Sequence, residues 1–238
     1  MKKLNFLLII VAMFAVSCAS SAQVNKVTDQ FEVGNFNKIK SEAVANIVIK
    51  QSRTTSVTAE GSEKLLNILN VKMDGNTLKF SMKEKSLRKK RLNDEKLTIF
   101  VNTPNLEKIE SDGVGNISIE GTFNTPSMVI ESDGVGNITA DNLVSGYLEV
   151  ESDGVGNITL SGKADKIDVS SDGVGNIDMK GLRAIDAKVE SDGVGNISVY
   201  VTGTLYAESD GIGNIVYYGN PKEKSIHKDG IGKIRAGK

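Results

Sequence analysis

Cysteine is nearly absent from this chain of 238 residues, and Cys18 is the only one. The body of the protein therefore closes no disulfide, and its stability must come from packing. Histidine is as scarce: His227 stands alone, and no Ser/His/Asp set, metal-ligand spacing or phosphate-cradling loop accompanies it. An excess of one charge is missing too. The 29 Lys+Arg against 30 Asp+Glu leave a formal net charge of −1, which gives nucleic acid nothing to hold. Beyond the N-terminal segment no apolar run is long enough to span a bilayer, and no long helical pattern occurs.

What is abundant is one heptad, SDGVGNI, which begins at Ser111 and recurs with small changes as far as Ile234. Its Asp falls at 112, 133, 153, 172, 192, 210 and 229, a spacing of 18 to 21 residues. A unit of that length, rich in Val, Ile, Thr and Gly, buries an apolar face only by stacking on its neighbours. The spacing fits neither the six-residue rhythm of left-handed β-helices nor the nine-residue rhythm of calcium β-rolls. The prediction is an all-β chain: a right-handed parallel β-helix, or solenoid, with about 20 residues per coil.

The first 22 residues read as a signal peptide, with Lys2 and Lys3 ahead of the apolar run from Leu4 to Val16. Ser20 and Ala22 offer a cleavage site before Gln23, and Cys18 offers a lipid attachment site as the alternative. The expected destination is the periplasm, outer membrane or cell surface, with membrane contact only through that lipid. Residues 23–30 are polar and expected to be a flexible leader, order beginning at Phe31. One domain, 31–238, should follow, with 31–105 less regular and 106–238 carrying the repeats.

Within the irregular part, Ser41 to Ile47 spell SEAVANI, a worn eighth copy in which both glycines have become Ala. Those alanines imply a backbone there without positive φ. Thr55 to Ala59 alternate like a strand, Ser62 is placed to cap a short helix through Leu65, Leu66 and Leu69, and Asp74-Gly75-Asn76 predict a hairpin turn. Lys83 to Lys96, with Arg88, Lys89, Lys90 and Arg91, reads as a solvated loop; contact with anionic lipid or polysaccharide is the alternative. Leu97, Ile99 and Val101 alternate into the first full coil.

Stacking would place equivalent letters of the heptad about 4.8 Å apart. Asn116, Asn137, Asn157, Asn176, Asn196 and Asn214 should then form a structural amide ladder. Asp112, Asp133, Asp153, Asp172, Asp192 and Asp210 should form a file of carboxylates, each neighbouring pair repelling by roughly 0.9 kcal/mol in water. Bonds from each carboxylate to turn N–H groups are the expected offset; salt screening and a bound cation, calcium first, are the other possibilities. The aliphatic file, from Val114 to Ile231, is expected to point inward, with a bend at Gly115-Asn116 and Asn in a left-handed conformation restoring its parity with Ile117. An outward file would make a binding stripe. At the C-terminal repeat, His227, Lys228 and Lys233 interrupt the pattern as a polar cap.

The segments FNKIKSEAVANIVIKQ, GSEKLLNILNVKMDGNTLKF and VNTPNLEKIE, together with the recurring GNI, resemble the bacterial head-GIN-domain family, described as auto-transporter adhesins and common in Bacteroidetes envelope proteins. The resemblance covers Phe31 to Ile234 and implies a right-handed parallel β-helix and export, with no assigned ligand or catalytic residues. The uniform Asp-Gly-Val-Gly of this chain departs from the more variable turn expected there. The expected function is a non-enzymatic envelope scaffold or adhesin-like module, offering repeated polar columns, above all the Asp file, to a glycan or protein. A calcium-filled structural β-helix is the alternative. A polysaccharide-active enzyme is a lesser one, because acids repeated along a straight edge lack the singular cleft that catalysis needs.

Overall fold

The computed structural model describes residues 26–83 and 96–238. The signal segment with Cys18, and the body of the basic loop between Lys83 and Lys96, lie outside the described residues. The irregular part contributes β1 (Val27–Phe31), β2 (Lys38–Ser41), β3 (Asn46–Gln51), β4 (Ser56–Gly61), the helix α1 (Glu63–Ile68), β5 (Leu69–Asp74), β6 (Thr77–Met82) and β7 (Thr98–Thr103). The repeats contribute β8 (Lys108–Ser111), then β9 (Ile117–Ser132), β10 (Ile138–Ser152), β11 (Ile158–Ser171) and β12 (Ile177–Ser191). The array ends with β13 (Ile197–Val201), β14 (Thr204–Ser209), β15 (Ile212–Tyr218), β16 (Glu223–Lys228) and β17 (Ile231–Ala236).

Each of β9 to β12 is one long, bent strand that wraps a whole coil, and the DGVGN turn carries the chain to the next. The coils pair in parallel, giving a β-solenoid of about six turns with about 20 residues per coil. Period-two alternation then decides what is buried. The Ile that closes each heptad stacks on its own kind through Ile47, Ile117, Ile138, Ile158, Ile177, Ile197, Ile215 and Ile234. A second file runs Ile39, Ile109, Ile130, Val150, Val169, Val189 and Ala207, all fully buried. Beside it the heptad serines Ser41, Ser111, Ser132, Ser152, Ser171, Ser191 and Ser209 also point inward, small enough to let the chain turn.

The N-terminal end closes differently. In the first coil β2 lies between β6 and β8, and β3 lies between β7 and β9, all parallel. Outside them β5 runs antiparallel on β6, β4 antiparallel on β7, and β1 antiparallel on β4. The hairpin turns at Gly75 with φ of 58°, and Ser62 caps α1 by accepting the Leu65 N–H at 3.3 Å. Leu65, Leu66 and Ile68 of α1 are buried in the core. The strand at the leader corrects one expectation, since Val27–Phe31 is paired with β4 and is not a flexible segment up to Phe31. The free edge of β4 supplies partners for its backbone, and the exposed Thr28, Asp29 and Gln30 suit an outermost strand.

Candidate functional site

In the turn that joins one coil to the next, the Asp, Gly and Val positions are held by backbone bonds. Asp133 and Gly134 donate their N–H groups to the Ser111 carbonyl at 2.9 and 2.7 Å, and Val135 donates to the Gly113 carbonyl at 2.9 Å. The reverse bond, from the Gly115 N–H to the Val135 carbonyl, is 2.9 Å. The same pattern repeats up the stack, so the turns lie directly on one another.

Such close stacking leaves no room for side chains at the two glycines. A Cβ at Gly134 or Gly136 would fall within 3.0 Å of backbone atoms of the preceding turn. Every such Cβ points back toward the previous turn, which explains the worn copy. Ala43 and Ala45 occupy the first of these turns; among the described residues no turn of this kind lies before them, and neither has positive φ. The glycine, not the asparagine, takes the unusual backbone: Gly115 has φ of 141°, and Asn116 is not among the positive-φ residues. The left-handed Asn expected from sequence is therefore corrected, because a residue without Cβ already stood next to it.

The aliphatic file points outward. Val114, Val135, Val155, Val174, Val194 and Ile212 are each 48–53% exposed, and Val44 extends the file by one coil. The inward expectation fails on simple parity: Val114 and Ile117 are three residues apart, so alternation puts them on opposite faces. The turn needed no repair, and the valines stand half-exposed on a ribbon of glycine.

On one side of this stripe runs the asparagine ladder. Asn137 donates its backbone N–H to Oδ1 of Asn116 at 2.9 Å and its Nδ2 to the same oxygen at 3.2 Å. Asn157, Asn176, Asn196 and Asn214 repeat both bonds. The ladder begins at Asn46, whose Oδ1 takes the Asn116 N–H at 2.9 Å, and ends at the Lys233 N–H, 3.1 Å from Asn214 Oδ1. Asn46 and Val44 were missing from the candidate residues although SEAVANI already aligned them with the file.

On the other side stand the aspartates, all exposed. No turn N–H reaches their carboxylates, because the stacked carbonyls have taken those donors; the expected offset of the repulsion is corrected accordingly. At the first coils lysines supply it. Lys40 Nζ lies 2.8 Å from Asp112 and 3.1 Å from Glu110, and Lys108 Nζ lies 3.0 Å from Glu110 and 2.7 Å from Glu131. Hydrogen bonds to Asp112 and Glu110 push the Lys40 ammonium above its ordinary range. Burial would raise Glu110, but its bonds to Lys108 and Lys40 outweigh burial and hold it low. Further up, Lys188 pairs with Glu190 at 2.8 Å, but Asp133, Glu151 and Asp192 join no ion pair among the described residues. Burial, followed by the charges of Asp112 and Asp153, raises Asp133; burial, then Asp172 and Asp210, raises Asp192; burial, then Glu131 and Glu149, raises Glu151. Among the described residues no three acidic, His or Cys side chains gather as a metal site, and His227 meets only Asp229, at 3.3 Å on the last coil.

These shifts set a pH dependence of unusual sign. A carboxylate raised on folding costs stability while ionised, and that cost disappears as pH falls through its folded pKa. The thermal midpoint should therefore rise as pH falls from neutrality through these raised pKa values toward the ordinary carboxylate range. The lowered Glu110 opposes this only at lower pH, where it is finally protonated. The triple variant D133N/E151Q/D192N should flatten the rise; a midpoint that drops on acidification over this window contradicts the electrostatic account.

Comparisons with known proteins follow the same outline. The family described as "Putative auto-transporter adhesin, head GIN domain" matches residues 35–221. A solved structure from Bacteroides fragilis named a "putative adhesin" is 36% identical, covers 89% of this chain and 97% of its own, and superposes with a TM-score of 0.86. A "putative adhesin" from Parabacteroides distasonis is 21% identical over 90% of this chain and 98% of its own, with a TM-score of 0.69. A second protein from that organism, named a "Putative lipid binding protein", is 23% identical over 91% of this chain and 98% of its own, with a TM-score of 0.65. These last two share the fold. No curated protein matches the chain.

Proposed function

The chain belongs to the "Putative auto-transporter adhesin, head GIN domain" family, and from that premise we propose that it is a non-enzymatic, adhesin-like module of the bacterial envelope that holds a partner protein along its turn edge. The observation that carries this reading is the exposed Val/Ile file, kept straight by glycine and bordered by carboxylates on one side and amides on the other. From Val44 to Ile231 the file is roughly 34 Å long at the coil pitch. With its flanking columns it covers roughly 450 Å², less than the ~800 Å² per partner of a stable complex, so single contacts are weak and repeated ones add up.

Carboxylates beside the stripe disfavour an anionic surface, and a second copy of the same edge would bring two acidic files together. A protein segment with apolar and basic residues fits both features. Beads carrying the protein should be retained by bacterial envelope preparations. V135S/V155S/V174S should lower retention by at least about tenfold without moving the melting midpoint, since the replaced side chains are exposed. Equal retention of the variant rejects the turn edge as the contact surface.

A further inference from the structure

A second surface lies at another corner of the solenoid, away from the turns. Thr125, Ser145 and Ala164 stack in register and are buried, and directly after them the chain bends outward at Pro126, Gly146 and Asp165. Small residues at the bend leave a groove of about 560 Å³ that crosses four coils. One wall is a second file in register, Asn124, Val144, Lys163 and Arg183, continued by Tyr200. The other wall ends in Asp165 and the exposed Ile185.

Lys163 and Arg183 are consecutive in their file, so their cationic heads project side by side, about 4.8 Å apart at the backbone. Among the described residues neither joins an ion pair. Arg183 is held instead by a ring, its guanidinium carbon 5.0 Å from the centroid of Tyr200. Tyr200 lies against Gly219, where a Cβ would come within 3.0 Å of the ring. That packing fixes the guanidinium plane and leaves its N–H fork to face an anion.

We propose that this groove binds a linear anionic glycan. Lys163 and Arg183 take a carboxylate or sulfate, Arg183 through paired N–H bonds, and Asp165 accepts hydrogen bonds from sugar hydroxyls. The groove follows the solenoid axis, so a glycan that advances about one ring per ~4.8 Å coil step sets successive rings against Asn124, Val144, Lys163 and Arg183 in turn. Two cations and one carboxylate are too few for the phosphate contacts of a nucleic acid. The groove is concave, whereas a membrane surface is flat. The site uses a different face and the opposite charge from the turn edge, and does not depend on it.

The test is calorimetric titration of the full exported chain with three probes: a polygalacturonate oligosaccharide, a chondroitin sulfate oligosaccharide, and phosphatidylcholine vesicles containing phosphatidylglycerol. At least one glycan should bind, more weakly as salt is added, and its neutral form, methyl-esterified polygalacturonate or chondroitin both desulfated and methyl-esterified, should not. Lys163→Ala with Arg183→Ala should weaken binding at least about tenfold, with Arg183→Lys between the two. The melting midpoint should stay the same, because both side chains are exposed. V135S/V155S/V174S should bind the glycan as the unchanged protein does, which separates this site from the turn edge. No binding of either glycan, binding retained by the double alanine variant, or binding of vesicles in place of glycans would overturn the proposal.

Discussion

Adding one methyl group at Gly175 should cost about 4 kcal/mol or more, enough to lower the melting midpoint by roughly 8–16 °C or to abolish soluble expression. The new Cβ would lie inside contact distance of the Gly156 carbonyl, and the neighbouring atoms are all backbone, so no rotamer change can relieve the overlap. The backbone at Gly175 also has φ of 157°, which a residue with a side chain rarely adopts. Moving the coils apart would stretch the bonds from the Gly156 N–H to the Val174 carbonyl, 3.0 Å, and from the Val174 N–H to the Gly154 carbonyl, 2.9 Å. The control is Ala45→Gly in the first turn. With no such turn before it among the described residues, that change should cost about 1–2 kcal/mol, from the freer unfolded chain and the loss of one buried methyl group. Thermal melts of both variants check the pair, and a Gly175→Ala midpoint close to that of Ala45→Gly would show that the turns are not in contact as described.

Phe80→Ala should have the next largest effect, about 3–5 kcal/mol and so a fall of roughly 6–20 °C in the midpoint. Phe80 is fully buried in β6, beside Ser41 in parallel register and Val71 across the hairpin. It ends the inward file of serines: where the coils stop, a large ring replaces a small hydroxyl and plugs the open end of the core. Solenoids need such terminal caps because each coil is covered only by its neighbours. Hydrogen exchange should accordingly quicken first in α1, β5 and β6, while β10 to β12 keep their protection. Uniform loss of protection along the stack would assign Phe80 a role in the whole core and not in the cap.

The fold was legible because the repeat is so regular. The spacing of the heptads carried the coil length, Ser62 announced α1, and Asp74-Gly75-Asn76 announced the hairpin. The amide ladder followed from stacking alone, since one Asn per coil at the same letter must meet the next. The binding surfaces were less legible. Lys163, Arg183 and Tyr200 occupy one file only because the bent strands shift register at the corner, so their sequence spacing has no constant period. β1 was hidden for a related reason: a polar edge strand has no apolar alternation to reveal it.

By itself, the sequence determined the stacked architecture, the identity of each file and the family, because these depend only on which letters recur and how far apart. The tertiary structure decided which way the files face. Val114 and Ile117 are both aliphatic and both repeat, and composition cannot say which is buried; the strand parity and the glycine-only contact between turns put Ile in the core and Val in solvent. The same contact took the turn N–H groups for the stacked carbonyls and left the aspartates to repel one another, because backbone donors already aligned by the coil pitch are not available to a side chain.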